Sequence, residues 1–265
     1  MTQDQNIAAT DQDTAATQNG RKRKPWYIRI GRKLLNGVDQ FIARYSLIPD
    51  RPFYSPEQFE WSKTLENNWA AIRGELDTVL KDRDELPNFQ DISTDQARIS
   101  QDDRWKTFFL YGYGYKMPGN CQRCPETTCL IESVPGMTTA FFSIMGPHKH
   151  IPAHRGPYKG VIRYHLGLIV PEPKDQCRIR VADEYAHWEE GKSLIFDDTY
   201  EHEVWNDTDG QRVVLFMDVI RPMRFPASLV NKLVFTLIKL SPYVQRARRN
   251  QKRWEKQQYT DTGKH

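Results

Sequence analysis

From residue 105 to 222 the chain is written in short apolar runs, at 139–145, 161–170, 177–181, 193–196 and 213–219. Pro147, Gly156, Pro157, Pro171, Pro173 and Gly191 stand between them. Runs of this length, bounded by turn formers, predict many short strands. Such strands close into a β-sandwich or barrel.

Upstream the texture changes. Trp61, Leu65, Trp69, Ile72 and Leu76 recur at helical spacing and predict helix over 55–85, then a polar loop region to about residue 103. The expected fold class is therefore mainly β with flanking helices. The expected organisation is a disordered tail at 1–20, a basic amphipathic segment at 21–50, a domain with N-terminal helices at 51–222, and a basic amphipathic helical segment at 223–265.

Charge follows the same division. Residues 21–50 hold eight Lys and Arg against two acids, and 221–265 hold eleven against two. Residues 51–220 hold nineteen bases and twenty-seven acids, so basic flanks adjoin an acidic body. In the first flank Leu34, Leu35, Val38, Phe41, Ile42 and Tyr45 share a helical face; in the second Leu229, Val230, Leu233, Val234, Leu237 and Ile238 do. Each pattern fits a helix lying at an anionic membrane surface, and equally one whose apolar face packs on the domain. No nucleic acid partner is expected, because no binding motif accompanies the charge.

Aromatics make up 12% of the chain, which argues against wholesale disorder. No run of eighteen apolar residues exists to span a membrane. Residues 1–20 lack the charged start and apolar core of a secretory leader, so a cytoplasmic location is expected. Of the four cysteines, Cys121 and Cys124 form a lone Cys-x-x-Cys beside Cys129. Structural thiols are the simpler reading; a local disulfide or a metal site stays open.

Six histidines fall between 148 and 202: His148, His150, His154, His165, His187 and His202. Two His and a carboxylate form the usual non-haem iron set, with neutral imidazole as ligand. His154 opens His-Arg-Gly-Pro, His202 lies within Glu-His-Glu-Val-Trp, and Arg212 follows ten residues later. Two residues after His154, where a third ligand carboxylate usually stands, is Gly156. Asp197 and Asp198 are expected to cap the turn before His202; a ligand role or orientation of His202 stays open.

These blocks occur in order: His154-Arg-Gly-Pro, Ile162-Arg163-Tyr164-His165-Leu166-Gly167-Leu168, the run from Trp188 to Asp198, His202-Glu-Val-Trp-Asn206, and Arg212. Together they resemble the aspartyl/asparaginyl β-hydroxylase family over about residues 105 to 222. The resemblance implies an Fe(II)- and 2-oxoglutarate-dependent dioxygenase with a double-stranded β-helix (jelly-roll) core, using O2 to hydroxylate an unactivated C–H bond and releasing succinate and CO2. It implies His154 and His202 as iron ligands, with water in the third protein ligand's place. Arg212 is implied as partner of the distal 2-oxoglutarate carboxylate, with Ser143 hydrogen-bonding the same group. Arg163 and His165 are implied to line the co-substrate pocket, and Trp105 to stand near its entrance.

Pro49-x-x-Pro-Phe-Tyr, the Trp69 helix, the stretch Tyr111-Gly-Tyr-Gly-Tyr-Lys-Met-Pro118 and the C-terminal tail resemble most the family's bacterial lipid A 2-hydroxylase branch. That implies a fatty acyl chain of a membrane lipid as substrate, lipid A or an ornithine lipid, and a peripheral position on the inner membrane. A peptidyl aspartyl or asparaginyl substrate is the alternative, and a non-catalytic jelly-roll binding module the third.

Overall fold

The computed structural model describes residues 37–94 and 99–261. The tail expected at 1–20 and the first part of the basic segment, including Leu34 and Leu35, lie outside the described residues.

Eleven strands are described: β1 (Phe53–Tyr54), β2 (Trp105–Gly112), β3 (Tyr115–Lys116), β4 (Met137–Met145), β5 (Lys149–His154), β6 (Val161–Ile169), β7 (Cys177–Val181), β8 (Glu184–His187), β9 (Ser193–Phe196), β10 (His202–Asn206) and β11 (Arg212–Ile220). They form a seven-stranded sheet, β1-β9-β6-β11-β4-β2-β3, and a four-stranded sheet, β5-β10-β7-β8. Every pairing is antiparallel. From β4 to β11 the chain changes sheet at each step except β7 to β8. This alternation is a jelly roll, as the resemblance implied.

The larger sheet has two covered faces, and period-two alternation sorts them. Ile162, Tyr164, Leu166 and Leu168 of β6 point outward into a core shared with helices α2 (Glu60–Asn67), α3 (Trp69–Val79), α5 (Pro118–Arg123) and α6 (Pro125–Glu132). Full burial of each such side chain contributes about 1.5–3 kcal/mol. The inward face meets the smaller sheet through Met145, Val214, Phe196 and Trp188. The helix expected over 55–85 is broken at Asn68, which has φ −104° and ψ 15°. Just after the break, Trp69 donates its indole N–H to Gly167 O (2.8 Å) and Arg73 donates to Leu168 O (2.7 Å), fastening α3 to the end of β6.

The segment expected as polar loop before residue 103 is partly structural. It contains α4 (Phe89–Ile92), and Phe89, Ile92 and Ile99 are buried. Helix α1, residues 37–45, is tied to the body by Asp39, which accepts from Lys159 N (3.0 Å). The C-terminal segment is two helices, α7 (Ala227–Leu240) and α8 (Pro242–Asp261). They part at Ser241, held extended at ψ 150° before a proline that disfavours helix there. α8 lies on the body: Asn250 donates to Asp91 O (3.2 Å), and Tyr243 shares a hydrogen bond with Ser93 (3.0 Å). Cys121 and Cys124 are buried thiols of the outer core, and all four cysteines are free.

Candidate active site

His154 ends β5 and His202 begins β10, and the two are paired directly across the strands. Their ring centroids are 4.1 Å apart. The β5–β10 register shifts between His202 and Val204, a bulge at the sheet end. Each ring is held by a carbonyl two residues back: His154 Nδ1 lies 2.8 Å from Pro152 O, and His202 Nδ1 lies 3.0 Å from Tyr200 O. A carbonyl can only accept, so both Nδ1 atoms carry the proton and the ring lone pairs lie on Nε2. Burial, then His154, pushes the His202 pKa down to about 3, which keeps this ring neutral.

No side chain fits at residue 156. A Cβ built on Gly156 would stand 2.2 Å from Asp198 Oδ2. Gly156 N–H donates to Asp198 O (2.7 Å), so this close approach is built into the backbone. The Asp198 carboxylate is buried and pairs with Arg163 Nη2 at 2.9 Å. Burial raises its pKa to about 6 against the pull of Arg163. Asp197 serves the turn: Oδ1 accepts from Thr199 N (3.0 Å) and Oγ1 (2.6 Å), while Oδ2 pairs with Arg221 and Lys159. The two neighbouring aspartates thus have separate tasks, and only the first caps the turn. Among the described residues, no three His, Cys, Asp or Glu side chains group into a metal cage.

Deeper in the lumen, Arg212 of β11 is 2% exposed and no carboxylate among the described residues pairs with it. Its guanidinium lies over Trp188, with Cζ 4.4 Å from the ring centroid, and Nη2 lies 3.1 Å from Met145 Sδ. Burial lowers its pKa to about 10. His165 of β6 accepts the Trp188 indole N–H at Nδ1 (3.2 Å), so its proton resides on Nε2. Burial, then Arg212, holds this ring far below the usual histidine range and therefore neutral. Ser143 Oγ accepts from Trp105 Nε1 (3.1 Å), leaving the serine O–H to donate. Arg212 Nε, Arg212 Nη1 and His165 Nε2 are buried without a hydrogen-bond partner. These donors, grouped around Trp188, are chemically suited to a carboxylate.

Arg163 lies elsewhere. It is clamped between Asp198 and Asp218 (3.0 Å from Nε) and lies over Phe216, on the side of the site toward His154. There two cavities, of about 110 and 450 Å3, share His154, Arg163, Tyr113, Thr139, Asp218 and Tyr243 as walls. The smaller runs under α8 and is mainly apolar, with Ile92, Phe109, Met117, Phe141, Val244 and Ala247. The larger is more polar near Arg155, Asp198 and Tyr158, and reaches Phe235 and Ile238 of α7. Of these walls the core sequence blocks name His154, Arg163 and Trp105; His202, Ser143, His165 and Arg212, also named, lie outside both linings. Tyr113, Met117 and Tyr243 fall in the outer stretches that resemble the lipid A 2-hydroxylase branch, but Asp218 belongs to no motif, and Phe89, Ile92 and Ile99 lie in a segment read as polar.

A sequence model described as aspartyl/asparaginyl beta-hydroxylase matches residues 66–222. The chain is 51% identical over 218 residues to an ornithine lipid ester-linked acyl 2-hydroxylase of Rhizobium tropici, covering 82% of this chain and 78% of that one. It is 35% identical over 184 residues to the aspartyl/asparaginyl beta-hydroxylase of Homo sapiens, with 66% of this chain and 23% of that one covered. Against the human aspartate beta-hydroxylase domain-containing protein 2 it is 32% identical, with 66% and 48% covered. The chain thus spans less than half the length of either human relative.

Proposed function

Because the chain belongs to the aspartyl/asparaginyl β-hydroxylase family, we propose that it is an Fe(II)- and 2-oxoglutarate-dependent hydroxylase of a membrane-lipid acyl chain, with an ornithine lipid as the leading substrate. The apolar cavity that starts at His154 carries this reading. It suits a hydrocarbon tail: its lining is mainly apolar, and of its two arginines Arg163 is already shared by two aspartates while Arg248 lies over Tyr115. The Rhizobium tropici relative acts on an ester-linked acyl chain of ornithine lipid, which agrees with that lining.

The residues fit the absent groups. His154 and His202 would hold Fe(II) through Nε2, their rings being fixed from the other nitrogen. Arg212 would receive the distal carboxylate of 2-oxoglutarate, supported by Ser143 and His165, which supplies the partner its buried charge lacks. When bound, Fe(II), 2-oxoglutarate and O2 supply the oxygen-insertion chemistry, with succinate and CO2 as co-products. Trp188 keeps the His165 proton on Nε2, where it can donate to the co-substrate. Arg163 holds the Asp198 carboxylate in the space beside Gly156, so no side chain at residue 156 would join the two histidines in holding iron. The apolar wall from Phe141 to Val244 keeps water from the acyl chain and sets which carbon stands at His154. The basic flanks would hold the enzyme at an anionic membrane surface.

The test is mass spectrometry of ornithine lipid incubated in detergent micelles with the purified protein, Fe(II) and 2-oxoglutarate. One added oxygen on an acyl chain, matched by succinate and lost in His154→Ala and His202→Ala, is expected. Succinate formation that survives both substitutions refutes the iron assignment. Oxidation of an aspartyl peptide instead of lipid transfers the enzyme to the peptidyl class of its human relative.

A further inference from the structure

Helix α7 turns its leucines to solvent. Leu229, Leu233 and Leu237 follow at single-turn spacing and are each 60% exposed; Leu240 is 63% exposed and Phe225, just before the helix, 77%. Scattered exposed leucines are ordinary, but an aligned row is a surface made for an apolar neighbour. The other side of the same helix is committed inward. Asn231 is buried, donates to Gly160 O (2.9 Å) and accepts from the Tyr158 hydroxyl. Phe235 and Ile238 line the cavity that reaches His154. One helix thickness, about 10 Å, separates the outer leucines from the wall of the site.

Resting on the reading of the site as a lipid acyl hydroxylase, we propose that α7 is an interfacial helix. Its leucine row sits in the upper acyl layer of an anionic bilayer, and its inner side is the wall along which a lipid acyl chain passes to His154. Charge complementarity favours a bilayer over a protein partner. Arg224 and Lys232 stand near the row, Lys239 turns back over Tyr115, and residues 221–265 carry eleven bases against two acids. Leucines on one arc with basic residues beside them is the pattern of helices that lie in the membrane plane. With fourteen residues, α7 is too short to cross a hydrocarbon core of about 30 Å. No helix among the described residues is long and apolar enough to do so. A protein partner would account for the leucines but not for their sharing one helix with the substrate cavity.

The experiment uses the full-length protein and its Leu229→Gln/Leu233→Gln/Leu237→Gln variant. Both are sedimented with vesicles of equimolar phosphatidylglycerol and phosphatidylethanolamine, and both are assayed on ornithine lipid in vesicles and in detergent micelles. The variant is expected to bind vesicles at least about tenfold more weakly, to lose turnover of lipid in vesicles to a similar degree, and to keep wild-type turnover in micelles. Equal vesicle binding by the two proteins overturns the proposal. Equal loss of vesicle and micelle turnover also overturns it, because the leucines then serve the fold or the site. A fluorophore on Leu233→Cys, in a Cys129→Ser background, should report water before vesicles are added and an apolar setting after. An apolar setting without vesicles means that another part of the chain or a second copy covers the row, and the proposal falls. Failure of the wild type on lipid in both forms strikes the hydroxylase reading alone, since vesicle binding still decides the role of the leucines.

Discussion

The guanidinium of Arg212 lies over the indole of Trp188, 4.4 Å from its centre, and that same indole donates to His165. Trp188 therefore ties two buried donors, Arg212 and His165, to one side chain. A buried cation without a carboxylate is costly to the fold unless a ligand brings the charge.

Arg212→Met should thus separate stability from binding. The dissociation constant for 2-oxoglutarate should rise by roughly 100-fold or more, as for loss of one partner of a buried charge pair. The melting temperature of the variant without ligand should not fall below that of wild type. 2-Oxoglutarate should raise the wild-type Tm and leave the variant's unchanged. A destabilised variant with wild-type affinity would make Arg212 a structural residue.

Gly156→Ala should destabilise the protein by about 3 kcal/mol, because the new methyl must displace a buried, ion-paired carboxylate. Asp198→Ala makes room. Denaturant unfolding of the double variant should show much less than the sum of the single losses. Strict additivity would mean that the two residues do not compete for the space.

Ala247 of α8 lines the apolar cavity under that helix. Ala247→Phe should shorten the acyl chain accepted. For long chains kcat/KM should fall by about tenfold or more, while short chains keep their wild-type value. Equal loss at all lengths would place the acyl tail elsewhere.

Asp102 carries a pH prediction. Burial opposes its ionisation, but hydrogen bonds from Lys149 and Arg104 outweigh burial and hold its carboxyl below the usual range. An unfolded aspartate takes its proton near pH 4, before the folded one does. Its contribution is therefore present above that range and is lost as pH falls through the folded pKa. Asp102→Asn should lower stability at neutral pH and flatten the acid limb of Tm against pH. An unchanged limb would show that the Lys149 pair does not contribute.

The residues proposed to hold iron and co-substrate were reached through ordered sequence blocks that resemble a known family; the spacing of six histidines did not by itself select His154 and His202. Strand runs 177–181 and 193–196 match β7 and β9 residue for residue, since Pro173 and Gly191 punctuate the chain before them and Asp183 and Asp197 follow. The apolar cavity was legible only in part. Its walls come from α4, β2, β4, β11 and α8, up to 162 residues apart in the case of Phe89 and Gln251, and nothing in Phe89 or Ala247 marks them for one another. Polar spacing hid α4, whose apolar residues are few but all turned inward. Periodicity likewise put Leu229 and Ile238 on one face, whereas the wheel of α7 divides between an inner and an outer apolar arc.

The two carbonyls that hold His154 and His202 belong to the chain just before each ring, and neither contact needs a metal. On the proposed reading, the nitrogens that would hold iron are aimed by the protein before any metal arrives. Iron could then depart and return while the fold stands, and a cell short of iron would keep its apoenzyme, regaining activity on the timescale of metal uptake, without new synthesis.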